Sequence, residues 1–200
     1  MTAQPPTPIA IETGALTLRL PTIEDADRIT ALLQEKDIVR MLGRVPWPYS
    51  RADAVWWIEN AARQASAGEE YPLVIIHNEH GLIGSCGLQK VECPDDLCVW
   101  ELGYWIGKPY WRQGFVSRAA NAILDWGRTA LGATGFVSGH IEDNTVSGHV
   151  LRKLGFNEVG TIEHYARGRD RIVRARRFTK TAPTPLALAS ESQNPRPDTD

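Results

Sequence analysis

The spacing of apolar positions changes along the chain between a period of two, typical of strands, and a period near 3.6, typical of helices. Residues 16–20 (LTLRL) alternate and predict a strand that ends at Pro21. Residues 23–34 carry apolar side chains at helical spacing and predict a helix. A second helix is predicted to begin at Ser50, because Ser50 and Asp53 match a capping box ahead of an apolar helical face.

From residue 71 onward, short strands alternate with two more helices. The pattern predicts strands at 71–77, 81–92, 98–107 and 135–142, helices at 115–131 and 144–155, and a final hairpin over 156–180. The order β-α-α-β-β-β-α-β-α-β-β predicts a mixed sheet with helices on both faces. The unit from 98 to 142 is expected to form a right-handed parallel crossover, with ligands gathering at the carboxyl ends of its strands.

The two ends of the chain differ in composition from the middle. Residues 1–14 and 181–200 are rich in proline, serine, threonine and small polar residues, which predicts a flexible N-terminal tail and a disordered C-terminal tail. The length of 200 residues suits one domain, expected here at 15–180. A hydrophobic content of 42% is ordinary for a globular protein.

Charge and cysteine content argue against several classes of function. With 22 basic and 24 acidic residues the net charge is −2, so we expect no DNA partner and no membrane partner. Three cysteines without a CxxC pair, and five histidines without ligand spacing, predict neither a disulfide framework nor a metal site. The N-terminus lacks signal-peptide character and no apolar run approaches ~18 residues, so we expect a cytoplasmic location.

The stretch YWRQGFVSRAANAIL, residues 110–124, places a glycine where a strand pattern gives way to a helical one. The first turn of a helix leaves backbone N–H groups without partners and carries a partial positive charge, so phosphates bind there readily. The alternative is an ordinary loop glycine ahead of an amphipathic helix. The segment alone leaves both interpretations open.

Two motifs together resemble the GNAT superfamily of acyl-CoA N-acyltransferases, and within it the RimJ/RimL-like branch of ribosomal-protein N-acetyltransferases. Residues 101–124 (ELGYWIGKPYWRQGFVSRAANAIL) are similar to that branch's strand, pyrophosphate loop and following helix. Residues 144–156 (NTVSGHVLRKLGF) are similar to its Asn-x-x-Ser helix. The resemblance implies an α/β (α+β) fold, with a mixed, mostly antiparallel sheet of about seven strands flanked by about four helices.

The resemblance also implies a reaction, namely direct transfer of an acetyl group from acetyl-CoA to a primary amine in a ternary complex. The N-terminal α-amine of a protein or peptide is the expected acceptor. A small amine or antibiotic acceptor stays open, as does a catalytically silent acyl-CoA-binding module. The family also makes a homodimer a possible assembly.

The cofactor residues implied by the resemblance lie in three places. Backbone N–H groups of the loop would hold the pyrophosphate, the strand before it would bind the pantetheine arm and thioester carbonyl, and Asn144 would contact the same arm. Trp111 at the first loop position is usual in the branch, whereas Val116 at the last is less usual and is expected to weaken or reshape CoA binding. The set is Trp105, Ile106, Arg112, Gln113, Gly114, Phe115, Val116, Ser117 and Asn144.

Two residues are candidate catalytic groups. Glu101 lies in an otherwise apolar strand, where burial would suit it to accept a proton from the amine, although a structural hydrogen-bonding role stays open; Glu142 is the reserve. Ser147 matches the serine of the branch motif and would donate to the departing sulfur. Many GNAT enzymes carry a tyrosine acid four residues later, and Leu151 stands there, so Ser147 or solvent is expected to serve.

The acceptor pocket is expected around two aromatic segments, VPWPYS and AVWWIE, with Trp47, Tyr49 and Trp56 as its walls and Trp57 as a further candidate. Few acidic residues lie there, which disfavours a polycationic acceptor. The six arginines of residues 166–178 predict a hairpin with a solvated basic face rather than an RNA-binding surface.

Overall fold

The computed structural model describes residues 9–91 and 98–181. Its strands are β1 (Ala10–Thr13), β2 (Leu16–Arg19), β3 (Glu70–His77), β4 (Gly81–Lys90), β5 (Val99–Ile106), β6 (Gly135–Ile141), β7 (Asn157–Ala166) and β8 (Arg171–Thr181). Its helices are α1 (Ala26–Leu33), α2 (Lys36–Val39), α3 (Arg51–Ala67), α4 (Phe115–Ala130) and α5 (Thr145–Lys153). Short 3₁₀ turns cover Ile23–Asp25, Lys108–Tyr110 and Arg167–Arg169.

All eight strands belong to one sheet with the order β1-β2-β3-β4-β5-β6-β8-β7. Every neighbouring pair is antiparallel except β5 and β6, which are parallel and joined through α4. This confirms the mixed, mostly antiparallel sheet and the parallel crossover expected from the sequence. The described chain has eight strands and five helices, slightly more than the expected seven and four.

The additional strand corrects the expected N-terminal tail. Ala10–Thr13 pairs with β2, although residues 1–14 were expected to be a flexible tail. The turn between them uses Gly14 at φ +61°, and Ile11 packs against the core, so short-range pairing and burial outweigh the tail-like composition. The additional helix, α2, is a single turn whose preceding Glu35 accepts a hydrogen bond from the Asp37 amide. The rest of the expected tails, 1–8 and 182–200, lies outside the described residues.

The core has two parts, one on each face of the sheet. Alternate residues of β3 show the division: Leu73 and Ile75 pack in the cluster that contains the α4 side chains, whereas Val74 packs with α1 and α3. Helices therefore cover both faces, as expected, and the strands between them are buried on both sides.

The parallel pair β5 and β6 separates before either strand ends. Its register runs only from Val99 opposite Gly135 to Leu102 opposite Ser138, where the Ser138 hydroxyl donates to the Leu102 carbonyl oxygen at 2.8 Å. Beyond that point β5 continues along β4 and β6 continues along β8. A gap therefore opens in the middle of the sheet at the carboxyl ends of the two parallel strands.

Candidate active site

A cleft of about 390 Å³ occupies this gap. Its lining comes from the separated ends of β5 and β6, from β4, from the first turn of α5, from β7 and from the loop that follows α2. Because the two strands no longer pair here, their backbone groups are accessible to an extended ligand lying between them. The cleft thus exposes the hydrogen-bonding edge of a strand inside an otherwise continuous sheet.

The loop before α4 has the backbone of an anion site. Gly114 adopts φ +79° directly before the helix begins at Phe115, and Arg112 adopts φ +61°, which is uncommon for a residue with a side chain. Left-handed residues ahead of a helix turn successive N–H groups toward one point, where the helix dipole also favours negative charge. Nothing lies within 4 Å of the place that a Gly114 Cβ would take, so the φ value, and not crowding, requires glycine.

Side chains of the same loop fasten it to the protein. The Trp111 indole Nε1 donates to the Ile106 carbonyl oxygen at 2.9 Å, and the Gln113 amide donates to the Pro109 carbonyl oxygen at 3.0 Å. The Phe115 ring packs edge-on against His77, with centroids 5.1 Å apart. These contacts fix three side chains of the loop against the protein, while the Arg112 side chain stays exposed. Val116 and Ser117 follow, half-buried, in the first turn of α4.

The start of α5 forms another wall of the cleft. Asn144 precedes the helix, and its side-chain oxygen accepts a hydrogen bond from the Ser147 amide at 3.3 Å, so Asn144 is the N-cap of α5 as well as a cleft residue. Ser147 lies one turn further, also on the cleft. Across the gap, the Tyr104 hydroxyl of β5 donates to the Ser147 carbonyl oxygen at 3.3 Å. Trp105, next in β5, lines the same space.

Glu101 lies on the cleft, but its surroundings are not the apolar ones expected. Its two carboxylate oxygens accept from Arg177 at 2.7 Å and from Arg44 at 3.0 Å. The side chain is 24% exposed. Alternation along β5 did place Glu101 on the correct face, but the two arginines come from β8 and from the loop after α2, which no local pattern links to it.

A second carboxyl group lies on the same face and was not identified from the sequence. Glu70 begins β3, stands opposite Gln89 of β4, and Gln89 in turn stands opposite Glu101. Burial raises the pKa of Glu70, and the nearby Glu101 carboxylate acts in the same direction while Arg44 opposes it. The signal available in the sequence was a lone glutamate at the edge of an apolar strand.

The three expected acceptor walls, Trp47, Tyr49 and Trp56, do not line this cleft, whereas the further candidate Trp57 does. Tyr49 is 5% exposed and packs in the core with α1 and α3, and Trp47 packs against that same cluster. Trp56 is 60% exposed and does not line the cleft, whereas its neighbour Trp57 does. A one-residue shift turns a helical side chain by about 100°, so the order of the two tryptophans on the helix decides which one faces the site.

The loop after α2 is held over the cleft by the β7–β8 turn. Arg169 donates from Nε to the Arg40 carbonyl oxygen at 2.5 Å and makes a two-pronged pair with Asp143 at 2.7 and 2.9 Å. The Arg167 amide donates to the Gly43 carbonyl oxygen at 3.0 Å. The pairing with Arg169 lowers the pKa of Asp143. The loop that covers the cleft is thereby hydrogen-bonded to the β7–β8 turn at two positions, Arg40 and Gly43.

The arginine-rich hairpin is more ion-paired than the expected solvated face. Arg176 contacts Glu158 at 2.6 Å and Glu142 at 3.1 Å, and Arg177 contacts Glu101. Glu142, the reserve candidate for the base, is thus engaged with the hairpin. Arg174 extends the same network to Glu142 at 3.8 Å. The hairpin therefore holds a carboxylate of the cleft, Glu101, through Arg177, as well as facing solvent.

Two further features complete the description. Among the described residues, ligand atoms of His77, Glu79 and His80 lie within 4.8 Å of one another at the β3–β4 turn, where the two imidazole rings stack with centroids 4.6 Å apart. In the same part of the chain, no helix has both the length and the apolar character that crossing a membrane requires.

The sheet has a parallel pair that opens over a cleft, and a left-handed glycine precedes the helix beside it. These are the features of an acyltransferase fold. The chain belongs to the GNAT acetyltransferase family. The family described as "Acetyltransferase (GNAT) domain" matches residues 15–157. The chain is 26% identical over 163 residues to the "Uncharacterized N-acetyltransferase p20" of Bacillus licheniformis, covering 80% of this chain and 89% of that one.

Solved structures share the architecture. RimJ of Mycobacterium smegmatis, solved in complex with CoA-disulfide, superposes with a TM-score of 0.79 at 20% identity and covers 90% of each chain. RimL, described as a ribosomal L7/L12 alpha-N-protein acetyltransferase, superposes with a TM-score of 0.75 at 17% identity, covering 88% of this chain and 95% of that one. At such identities the likeness establishes the fold.

Proposed function

We propose that this acyltransferase moves an acetyl group from acetyl-CoA to the N-terminal α-amine of a protein or peptide, by direct transfer in a ternary complex. The observation that carries the proposal is the open ladder between β5 and β6, which leads from the left-handed loop at Gly114 to the first turn of α5. A diphosphate at one end and an extended amide-bearing arm along the gap match the shape and chemistry of CoA.

The cofactor contacts in this proposal are mainly backbone contacts. N–H groups of Arg112 to Ser117 hold the pyrophosphate, and the unpaired edge of β5 at Trp105 and Ile106 binds the pantetheine arm and the thioester carbonyl oxygen. Asn144 adds a side-chain amide while also capping α5. The RimJ structure contains CoA-disulfide, which supports the choice of cofactor.

The chemical step requires a free amine and a leaving thiol. We propose that Glu101, directly or through water, takes the ammonium proton, and that the Ser147 side chain lies beside the departing sulfur. Arg44 and Arg177 fix the position of the Glu101 carboxylate from two sides. The amine then attacks the thioester carbonyl, whose developing charge is met by strand N–H groups.

The acceptor enters from the face of the sheet that carries α3. Trp57 and the loop after α2 bound this side, and the two carboxylates there, Glu70 and Glu101, are balanced by Arg44 and Arg177. A site with balanced charge suits a chain end carrying one ammonium group better than a polyamine. RimL, whose description names an alpha-N-protein acetyltransferase, shares the fold and supports this acceptor class.

The proposal is tested first by calorimetric titration with acetyl-CoA, using two glycine variants. Gly114→Ala puts a side chain at φ +79° in the loop, and Gly132→Ala puts one at φ +65° between α4 and β6, both without steric contacts. Each should cost about 1–2 kcal/mol of conformational energy. We expect one site per chain in the wild type, weaker binding in Gly114→Ala by about tenfold, and unchanged binding in Gly132→Ala.

The acceptor is tested by thiol release with three kinds of compound: peptides with a free N-terminus, the same peptides with a blocked N-terminus, and small amines. The proposal requires release with the free peptide alone. Release only with small amines would replace the acceptor class, and binding of acetyl-CoA without release would indicate a silent binding module. Absence of acetyl-CoA binding would overturn the proposal as a whole.

A further inference from the structure

The position that many relatives give to a tyrosine acid holds Leu151 in this chain. Leu151 is fully buried in the core beneath α5 and has no hydroxyl to offer. A phenol nevertheless reaches α5 from the opposite wall, one turn before Leu151. Tyr104 of β5 extends across the gap, and its hydroxyl lies 3.3 Å from the Ser147 carbonyl oxygen.

We propose that Tyr104 is a catalytic acid of the acetyl transfer, an assignment that rests on the function proposed above. As the amine nitrogen bonds to the carbonyl carbon and the carbon–sulfur bond breaks, the sulfur of CoA keeps the bonding electron pair and takes the phenolic proton. The products are the amide, the CoA thiol and a tyrosinate. Two protons leave the nitrogen, one to Glu101 before the attack and one to solvent once the carbon–nitrogen bond has formed. Solvent then returns a proton to the tyrosinate, and Glu101 releases the proton that it took from the ammonium.

The position of Tyr104 suits this task. The residue is half-buried, lines the cleft, and lies in β5 one residue beyond Gly103, the first position at which β6 no longer pairs. Its hydroxyl is at the N-terminal turn of α5, where the helix dipole favours a thiolate that forms nearby. Its bond to a backbone carbonyl, 3.3 Å long, is weak enough to be exchanged for one to sulfur.

The surroundings keep the phenol in its protonated form. Burial raises the pKa of Tyr104 above its ordinary value, which favours the protonated phenol that an acid must be. The Cys86 thiol stands opposite it on β4, and burial also raises the pKa of that thiol. On β6, His140 lines the same cleft, and its Nε2 has no partner within the described residues. The carboxylates of Glu70 and Glu101 belong to the opposite face of the sheet.

Removal of the hydroxyl is the first test. Tyr104→Phe keeps the ring, and Tyr71→Phe removes the same group from a tyrosine that is 1% exposed and packs against Trp100 and Trp126. We expect kcat to fall by about 10²-fold in Tyr104→Phe, with the Kd for acetyl-CoA unchanged. We expect Tyr71→Phe to keep the wild-type kcat. Full turnover in Tyr104→Phe would overturn the assignment.

A fluorinated tyrosine separates an acid from a structural hydroxyl. With 3,5-difluorotyrosine at position 104 the hydroxyl and its contact with Ser147 are kept, while the phenol becomes more acidic. An acid must be protonated to act, so kcat should acquire a new falling limb on the alkaline side. A pH profile of kcat like that of the wild type would show that the Tyr104 hydroxyl only supports α5 and is not an acid. A wild type that releases no thiol with any amine would instead refute the proposed function and this inference together.

Discussion

At the scale of single residues, the two carboxyl groups of the cleft have unlike surroundings. Glu101 contacts two guanidinium groups, whereas the Glu70 carboxyl group has no hydrogen bond to the described residues and carries a raised pKa because of its burial. A base for an ammonium ion must be ionised and must be held in place. Arg44 and Arg177 hold the Glu101 carboxylate in place, as its proposed role as base requires, whereas burial lets Glu70 keep its proton to a higher pH than an exposed glutamate does.

The role of Glu101 is tested by the pH profile of Glu101→Gln. An α-amine has a pKa of about 7.7–8.0, so below about pH 8 most of the acceptor needs a base. We expect turnover to fall mainly below that pH while acetyl-CoA binding stays intact. Glu69→Gln, an exposed neighbour paired with Lys90, is the matched control. A selective loss in Glu70→Gln, with Glu101→Gln unaffected, would move the base to β3.

At the scale of elements, α3 is the helix whose beginning depends most clearly on local sequence. The Ser50 hydroxyl accepts from the Asp53 amide at 3.2 Å, and the Asp53 carboxylate accepts from the Ser50 amide at 2.8 Å. These are the two reciprocal bonds of a capping box, as the sequence predicted. The helix then ends at Gly68 in the left-handed conformation. Through α3 the box also positions Trp57 on the cleft.

Loss of the cap should therefore cost stability. Ser50→Ala leaves the Asp53 amide without its side-chain acceptor, and we expect the free energy of unfolding in urea to fall by about 1 kcal/mol. Ser66→Ala, in the same helix, removes a hydroxyl that only donates to the Ala62 carbonyl oxygen, and it should have a smaller effect. Equal losses in the two variants would contradict the role of the box.

Local signals explain which parts of the molecule the sequence predicted. Capping residues, alternation and glycine turns act over a few neighbours, so four of the five helices, most strands and the position of Gly114 before a helix were predicted correctly, and the single turn of α2 was not. The partners of Glu101 come from positions 57 and 76 residues away, and a local pattern carries no such information. Tyr49 and Trp56, expected at the acceptor pocket, do not line the cleft for a related reason, because the direction of a side chain depends on how α3 packs, and not only on where it begins.

At the scale of the whole molecule, the sheet has one long edge without a strand neighbour. β7 is the last strand in the order, and its side chains are almost all exposed. Val159 and Ile162 are 59% and 45% exposed, an unusual apolar surface for a sheet edge. The homodimer expected from the sequence stays a prediction, and β7 is the surface that we propose a second copy covers.

The assembly is tested by sedimentation equilibrium. We expect a mass of twice 22.2 kDa. Val159→Lys places a charge on the exposed edge and should give the monomer, because lysine on an edge strand opposes pairing with another chain. Ile23→Lys, at a 47% exposed apolar residue in the 3₁₀ turn before α1 and outside the sheet, should leave the dimer intact. A wild type that sediments as a monomer would rule the homodimer out.

The gap between β5 and β6 also affects the stability of the protein when little ligand is present to fill it. Only four residue pairs join the two halves of the sheet before the strands part. A ligand in the gap supplies hydrogen bonds where the two strands no longer pair, and it binds only the folded chain. Resistance of the protein to heat and to proteases should therefore rise with the logarithm of the ligand concentration. Turnover of the protein itself would then follow the supply of its own substrate.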